Sequence, residues 1–492
     1  MVAKLVIQAV MFVASTAYQL QQQKKLKQAQ AAAADARKGF DLTQSGVATN
    51  LPVVYGKQKL GGINTKHKTV DSYVESAAGT TDSQTFVENL APESGSNTIT
   101  GKKNEFLLVQ TALCYDGIES VVHIDINDVH YNEADARHSQ RHHIYKTGGQ
   151  ADPMAIANGL PSSNRFTNTA YCSAVYRLDR DDPQYNGIPT TQFFVKGMKV
   201  RKITESGGNY TLNSSREYSN NPAYCLLDYL LSDIYGRGLS ASEIELKSFY
   251  DSAQVCDTIV TTGRSVGGYI NGTNTTRDIP LFECNIALDT AKTVRENINE
   301  IMDTMGQAEL TWTTQGKYAL STLYPQSASD TQALVDNNHF FTDDDVIRDN
   351  VTITYQNATQ RKNLCTVSFV NEHEDFKSDT VTWPQRYSSV HTQYLVEDNQ
   401  LPLENQVSGI GITDPYHATA MAEQLVRKSR ASYTLTLTVS RKGLTLEPGD
   451  LIKVDLAIDN ISDYFRVETM KVLEDLSVEL TCYQFAHTTL AW

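Results

Sequence analysis

The side chains best suited to chemistry gather around His130, Glu133, His138, His142 and His143. His138 and His142 are four positions apart, the spacing at which one helix offers two imidazoles to a metal, but the HExxH order that adds a general base is absent. Arg137, Arg141 and Lys146 surround them and would repel a divalent cation, so the stretch reads as a solvated basic loop. Asp343-Asp344-Asp345 lacks the glycine and distal Glu of an EF-hand loop and reads as a strand-end or helix-start cap. There is no phosphate-cradling glycine loop; Gly207-Gly208 and Gly267-Gly268 are loop punctuation. No motif places two carboxylates together as glycan hydrolysis requires. No catalytic, cofactor-binding or metal-ligating residue is assigned, no cofactor is expected, and the chain does not read as an enzyme.

The elements that must carry these residues belong to a folded, somewhat polar protein. Its 492 residues suffice for several domains, and 40% are hydrophobic against 20% charged. A formal net charge of −14 disfavours tight non-specific binding to nucleic-acid phosphates, which needs clustered Lys and Arg. It suits a surface that DNA must pass without sticking. The seven cysteines (Cys114, Cys172, Cys225, Cys256, Cys284, Cys365, Cys482) are odd in number, scattered and never in CxxC pairs. They read as reduced core residues of a protein made in a cytosol.

At the N-terminus, Lys4, the apolar run Leu5 to Ala14 and the small residues through Ala17 imitate a secretory leader. The run is shorter than the ~20 residues that span a bilayer. Leu5, Ala9, Phe12, Val13 and Thr16 instead follow a helical period, so a helix over residues 2 to about 35 is expected, with Leu5, Ala9, Phe12 and Val13 as an assembly interface. The Gln19 to Lys38 tract that follows has high helix propensity and almost no apolar face, and needs neighbouring chains to hold it.

The expected fold is mainly β with α+β: residues 1–40 an N-terminal helix, 41–220 a first tube-like β-barrel domain, 221–330 a central α+β domain and 331–492 a second tube-like β-barrel domain. Asn127 to Asn168 is polar and reads as a long insertion loop, with the insertion proper at about 127–168. Asn221-Pro222 is an N-cap followed by a first-turn proline, and Leu226, Leu227, Leu230, Leu231 and Ile234 recur at helical spacing until Gly236. Ser240 with Glu243 and Thr293 with Glu296 are capping boxes opening two more helices. Gln315-Gly316 turns a hairpin between Ala308 to Thr313 and Lys317 to Ser321. The last third alternates polar and apolar residues in Val351 to Tyr355, Leu364 to Val370, Tyr433 to Val439 and Leu476 to Tyr483, with one helix from Pro415 to Lys428.

Four stretches, the second and third of them in one α+β unit, together resemble the central tail hub family of long-tailed bacteriophages, which includes the lambda-type host-specificity (tail tip) protein and related baseplate hubs. The first is Leu51-Pro-Val-Val-Tyr-Gly56 with Gly61-Gly62. The second is Asn221-Pro222 with Leu226-Leu227, Tyr235-Gly236-x-Gly238-Leu239, Phe249-Tyr250 and Cys256-Asp257, and the third is Val294-Arg295 to Gly316-Lys317. The fourth is Leu446-x-Pro448-Gly449-Asp450 with Phe465-Arg466-Val467. The resemblance implies a homotrimer at the virion tail tip, assembled in the host cytoplasm, in which two tube-like domains per chain make a pseudo-sixfold ring that continues the tail tube. Implied partners are distal tail or tube proteins, the tape-measure protein and tail fibre or receptor-binding proteins, with DNA passing unbound. The lambda-type protein continues into fibre and receptor-binding domains, whereas this sequence ends at Trp492, so a separate fibre or tip protein is expected. A second reading, a secreted or surface glycan-acting hydrolase, rests on the leader-like start and the histidine stretch.

Overall fold

The computed structural model describes residues 44–45, 50–75, 82–88, 98–130, 140–178, 188–261, 277–306, 308–325, 327–355, 361–430 and 433–486. Leu5, Ala9, Phe12, Val13 and the rest of the expected N-terminal helix lie outside them, as does His138. The described residues are mostly β.

Phe106–Tyr115 and Thr169–Arg177 read as nearly continuous runs because both faces of their sheet are covered. They sit at the centre of six strands, in the order Gln44–Ser45, Ile63–Val70, Phe106–Tyr115, Thr169–Arg177, Gln140–Tyr145 and Ser83–Glu88. On one face Leu107, Val109, Cys172 and Ala174 pack with Val121, Ile124, Phe193 and Val195 of a second sheet. That sheet runs Val129–His130, Ser120–Ile126, Thr191–Lys196, Lys57–Leu60. On the other face Phe106, Leu108 and Val175 meet Met154 and Ala155 of the helix Pro153–Ala157.

That helix and the strand Gln140–Tyr145 correct the expectation of an insertion loop across residues 127–168. Tyr145 pairs with Tyr171 on one side and Ser83 on the other, so the strand is internal to the sheet. Asp152 caps the helix, accepting from the Met154 amide. The segment looked like a loop because its polar side chains are buried in mutual hydrogen bonds, which leaves no apolar alternation to detect.

A second six-stranded sheet is ordered Phe340–Thr342, Leu451–Leu456, Ile461–Val472, Val478–Phe485, Tyr433–Val439, Val346–Tyr355. Its two outermost strands are joined by Asp343-Asp344-Asp345 alone, so the sheet must curl until its edges nearly meet. The result is a nearly closed barrel around Leu435, Leu437, Val454, Phe465, Val467 and Leu480. The acidic run caps this turn: Asp345 accepts from the Thr342 amide at 3.1 Å and Asp343 from the Ala457 amide at 3.0 Å. Leu364–Asn371 lies elsewhere, between Lys377–Trp383 and Glu404–Ser408, beneath Ala418, Ala422 and Val426 of the helix Pro415–Arg430. A further helix, Ser389–Glu397, had no clear sequence signal.

Between these sheets the helices Pro222–Leu231, Leu246–Cys256 and Val294–Asp303 pack on the hairpins Lys199–Ser206/Asn209–Tyr218 and Glu309–Trp312/Tyr318–Ser321. Asn221 accepts from the Ala223 amide at 3.0 Å, and the Thr293–Glu296 box is closed in both directions. The Ser240–Glu243 box opens a short 3-10 turn, with the helix proper starting at Leu246. The Pro222–Leu231 helix stops short of the expected Gly236, leaving Ile234 64% exposed. All seven cysteines are buried and unbridged, as the scattered spacing implied. Among the described residues no helix is long and apolar enough to cross a membrane.

Candidate functional site

His142 and His143 of the histidine stretch are structural. His142 and His143 lie on the Gln140–Tyr145 strand and are fully buried, which corrects the solvated basic loop. Neighbours on a strand point to opposite faces, so the two rings serve different layers. The His142 ring sits 2.9 Å from the Tyr176 hydroxyl, which is 2.7 Å from Thr191. Burial, with the neighbouring His143 charge, lowers the His142 pKa to about 3, so the imidazole is neutral. On the other face His143 is 3.2 Å from Asp152, which also accepts from the Tyr145 hydroxyl at 2.7 Å. Arg141 pairs with Glu75 and donates to His143 at 2.7 Å. This removes the support the hydrolase reading drew from these residues.

What the structure does bring together are the signature segments. Tyr55 of the Leu51–Gly56 segment and Tyr235 of the Tyr235–Leu239 segment both donate to one carboxylate oxygen of Asp228, at 2.9 and 2.8 Å. Arg216 lies 3.6 Å from the other oxygen. Burial raises the Asp228 pKa, against the opposing Arg216 charge and the two tyrosine hydrogen bonds. Gly56 holds φ +67°, and a Cβ there would lie 2.2 Å from the Cys284 carbonyl oxygen, so the glycine allows backbones to meet.

One step along the chain, a second node ties three parts of the fold. Asn285 accepts from the Lys57 amide at 2.9 Å and donates to Thr413 at 2.8 Å. Thr413 donates to Glu372 at 3.1 Å, and Glu372 is 3.2 Å from the Lys57 ammonium. Beside it Asp414 accepts from Arg277 at 2.6 Å and lies 3.1 Å from the His373 ring. Burial would raise the Asp414 carboxyl, but the His373 hydrogen bond and the His417 and Arg277 charges outweigh it and hold the pKa well below the usual carboxylate range.

The third node is Arg466, whose side chain is fully buried. It donates to the Gly449 carbonyl at 3.0 Å and to the Ser321 carbonyl and hydroxyl at 3.1 Å, with Glu309 at 3.5 Å. The Leu446–Asp450 turn, the Phe465–Val467 strand and the 309–321 hairpin are thereby clamped together. All three nodes contain acceptors, donors and ion pairs that satisfy one another. Their chemistry is that of a joint, with no nucleophile and base in line. Asp228, Asn285 and Asp414 escaped sequence reasoning because a single Asp or Asn carries no local pattern; Arg466 was visible only as part of a signature.

Residues 293–469 match a family model described as a putative phage tail protein. Over 330 residues, 66% of the chain, the sequence is 24% identical to the baseplate hub protein pb3 of Escherichia phage T5. In these segments the chain is similar to phage tail proteins. It spans about a third of the length of that curated relative, 32%. A chain in the virion of a native gene transfer agent particle shares the fold, with a TM-score of 0.52 at 14% identity, covering 91% of this chain and 88% of that one. The tail protein from Neisseria meningitidis MC58 aligns over 75% of this chain and 98% of its own, at 11% identity and a TM-score of 0.31.

Proposed function

We propose that the chain is the hub of a tail tip or baseplate, closing the tail tube, anchoring fibres or tip proteins and opening for DNA ejection during infection. The observation that carries this reading is the match to a baseplate hub protein over two thirds of the chain. In that role the chain forms a homotrimer, contacts distal tail or tube proteins and the tape-measure protein above, and receives tail fibre or receptor-binding proteins below. The Asp228, Asn285 and Arg466 nodes suit the part, because their hydrogen bonds tie together segments far apart in the chain. A net charge of −14 suits a channel through which DNA passes without being held. Gold-labelled antibody to this chain, applied to intact particles, should mark the tail end distal to the capsid. Labelling along the tail shaft, on the capsid, or only on free protein would overturn the proposal.

A further inference from the structure

The described residues hold two clusters in which His, Asp or Glu atoms converge closely enough for a shared ion: Glu372, His373 and Asp414 at the second node, and His123, Asp125 and His130 away from all three nodes. In the first, Arg277 and Lys57 already neutralise the carboxylates, at 2.6 Å from Asp414 and 3.2 Å from Glu372. A divalent cation there would have to displace two fixed positive charges. The second is arranged differently, and we propose that His123, Asp125 and His130 form a binding site for a divalent transition metal ion, with Zn²⁺ as the expected occupant.

The strand register builds the site. His123 and Asp125 are two apart on Ser120–Ile126, so both side chains leave the same face while Ile124 between them enters the core. The two-residue connection Asn127-Asp128, with φ +51° and +64°, folds the chain back so that His130 pairs directly with Asp125. Three ligand atoms, one from each residue, fall within 4.8 Å of one another. The His130 Nδ1 atom is 3.2 Å from Asp125 Oδ1, and the two imidazole centroids are 4.4 Å apart.

The surroundings fix the ligands as supporting groups do in established metal sites. Phe194, the cross-strand partner of His123, stacks on its ring at 3.6 Å. Lys59 is 3.2 Å from Asp125 Oδ2 and 4.7 Å from the Phe194 centroid, so it holds the oxygen that does not face His130. That leaves Oδ1 for the metal, an arrangement of outer partners that orients a carboxylate ligand. His130 is 59% exposed while Asp125 is 9% exposed, so an ion reaches the site from solvent and is seated against a nearly buried carboxylate. Two imidazoles and one carboxylate are a borderline donor set that suits Zn²⁺ and leaves a fourth position for water or for a ligand from another chain.

The test uses the full chain stripped with EDTA and titrated with ZnCl₂ by calorimetry at neutral pH, with Co²⁺ absorption as a report on coordination. The expected result is one Zn²⁺ per chain, a rise in melting temperature on binding, and a loss of affinity of about tenfold or more in His130→Ala. Because His130 is exposed, that variant should fold normally, and Asp125→Asn provides a second arm. His373→Ala, in the other cluster, should bind Zn²⁺ as tightly as the unaltered protein. Absence of uptake, or uptake that His130→Ala and Asp125→Asn leave unchanged, or an equal loss in His373→Ala, would overturn the assignment.

Discussion

His142 shows how one buried side chain sets a dependence on pH. Its folded pKa of about 3 lies below the ordinary value near 6.5, so between those values the unfolded chain binds a proton that the folded chain refuses. Stability is therefore lost progressively as pH falls from about 6.5 toward 3, by on the order of a few kcal/mol at ~1.4 kcal/mol per pKa unit. Replacing the ring with a neutral amide, His142→Gln, should flatten that part of the urea-midpoint against pH profile; an unchanged profile would show that His142 does not carry the dependence. The depressed Asp414 adds a loss of the same sign at lower pH, since its stabilisation is present above the ordinary carboxylate pKa and disappears as the group protonates. Arg466 is the complementary case of a buried charge. Arg466→Met leaves Glu309 without its buried partner and the Gly449 and Ser321 carbonyls without this donor, and should lower unfolding free energy by about 3–5 kcal/mol. A loss below about 1 kcal/mol in denaturant unfolding would mean that the clamp is dispensable.

At the scale of elements, the close approaches are made at glycine. Gly56 ends the Val53–Tyr55 strand at φ +67° against the Cys284 carbonyl, so Gly56→Ala should cost at least about 2 kcal/mol from left-handed strain and displacement of that backbone. A calorimetric melt of the variant checks this, with the open Gly316→Ala as a control for conformational strain without crowding. The N-terminal segment is a proposal of a different kind. If Leu5, Ala9, Phe12 and Val13 bind neighbouring chains, removing residues 1–38 should leave the β-rich remainder folded by circular dichroism but reduce assembly into particles. Burying these side chains together with Thr16 would contribute on the order of 5–10 kcal/mol per helix as an upper bound, from ~25 cal/mol per Å². Normal yields of infectious particles from the truncated chain would show the segment to be dispensable.

For the whole molecule, the hub proposal requires closed symmetry. Three copies, each supplying two tube-like domains, match a sixfold tube, whereas one or two do not. Light scattering on folded protein at assembly-level concentration should give three times the 54.6 kDa chain mass. A strictly monomeric mass, or sixfold density for this chain in the particle, would sink the trimer.

Local pattern was enough for several parts of the protein. The Asn221 cap, the Thr293–Glu296 box and the 309–321 hairpin were legible because their hydrogen bonds close within a few residues. The scattered cysteines were legible as core, and the signature segments carried the resemblance to tail hubs. Other features needed the tertiary structure. The stretch from Asn127 to Asn168 reads as a loop because its strand buries histidines and a tyrosine whose partners, Tyr176 and Asp152, lie on other elements. Near-closure of the second six-stranded sheet depends on which strands become its edges, and no short window of sequence contains that choice. Tyr55 and Tyr235 are 180 positions apart in number and share one oxygen of Asp228. His123, Asp125 and His130 become a cluster only when strand register brings them to one face. Periodicity reports which side of an element is buried; it does not report what a polar side chain meets there, and in this protein the joints are made of such meetings.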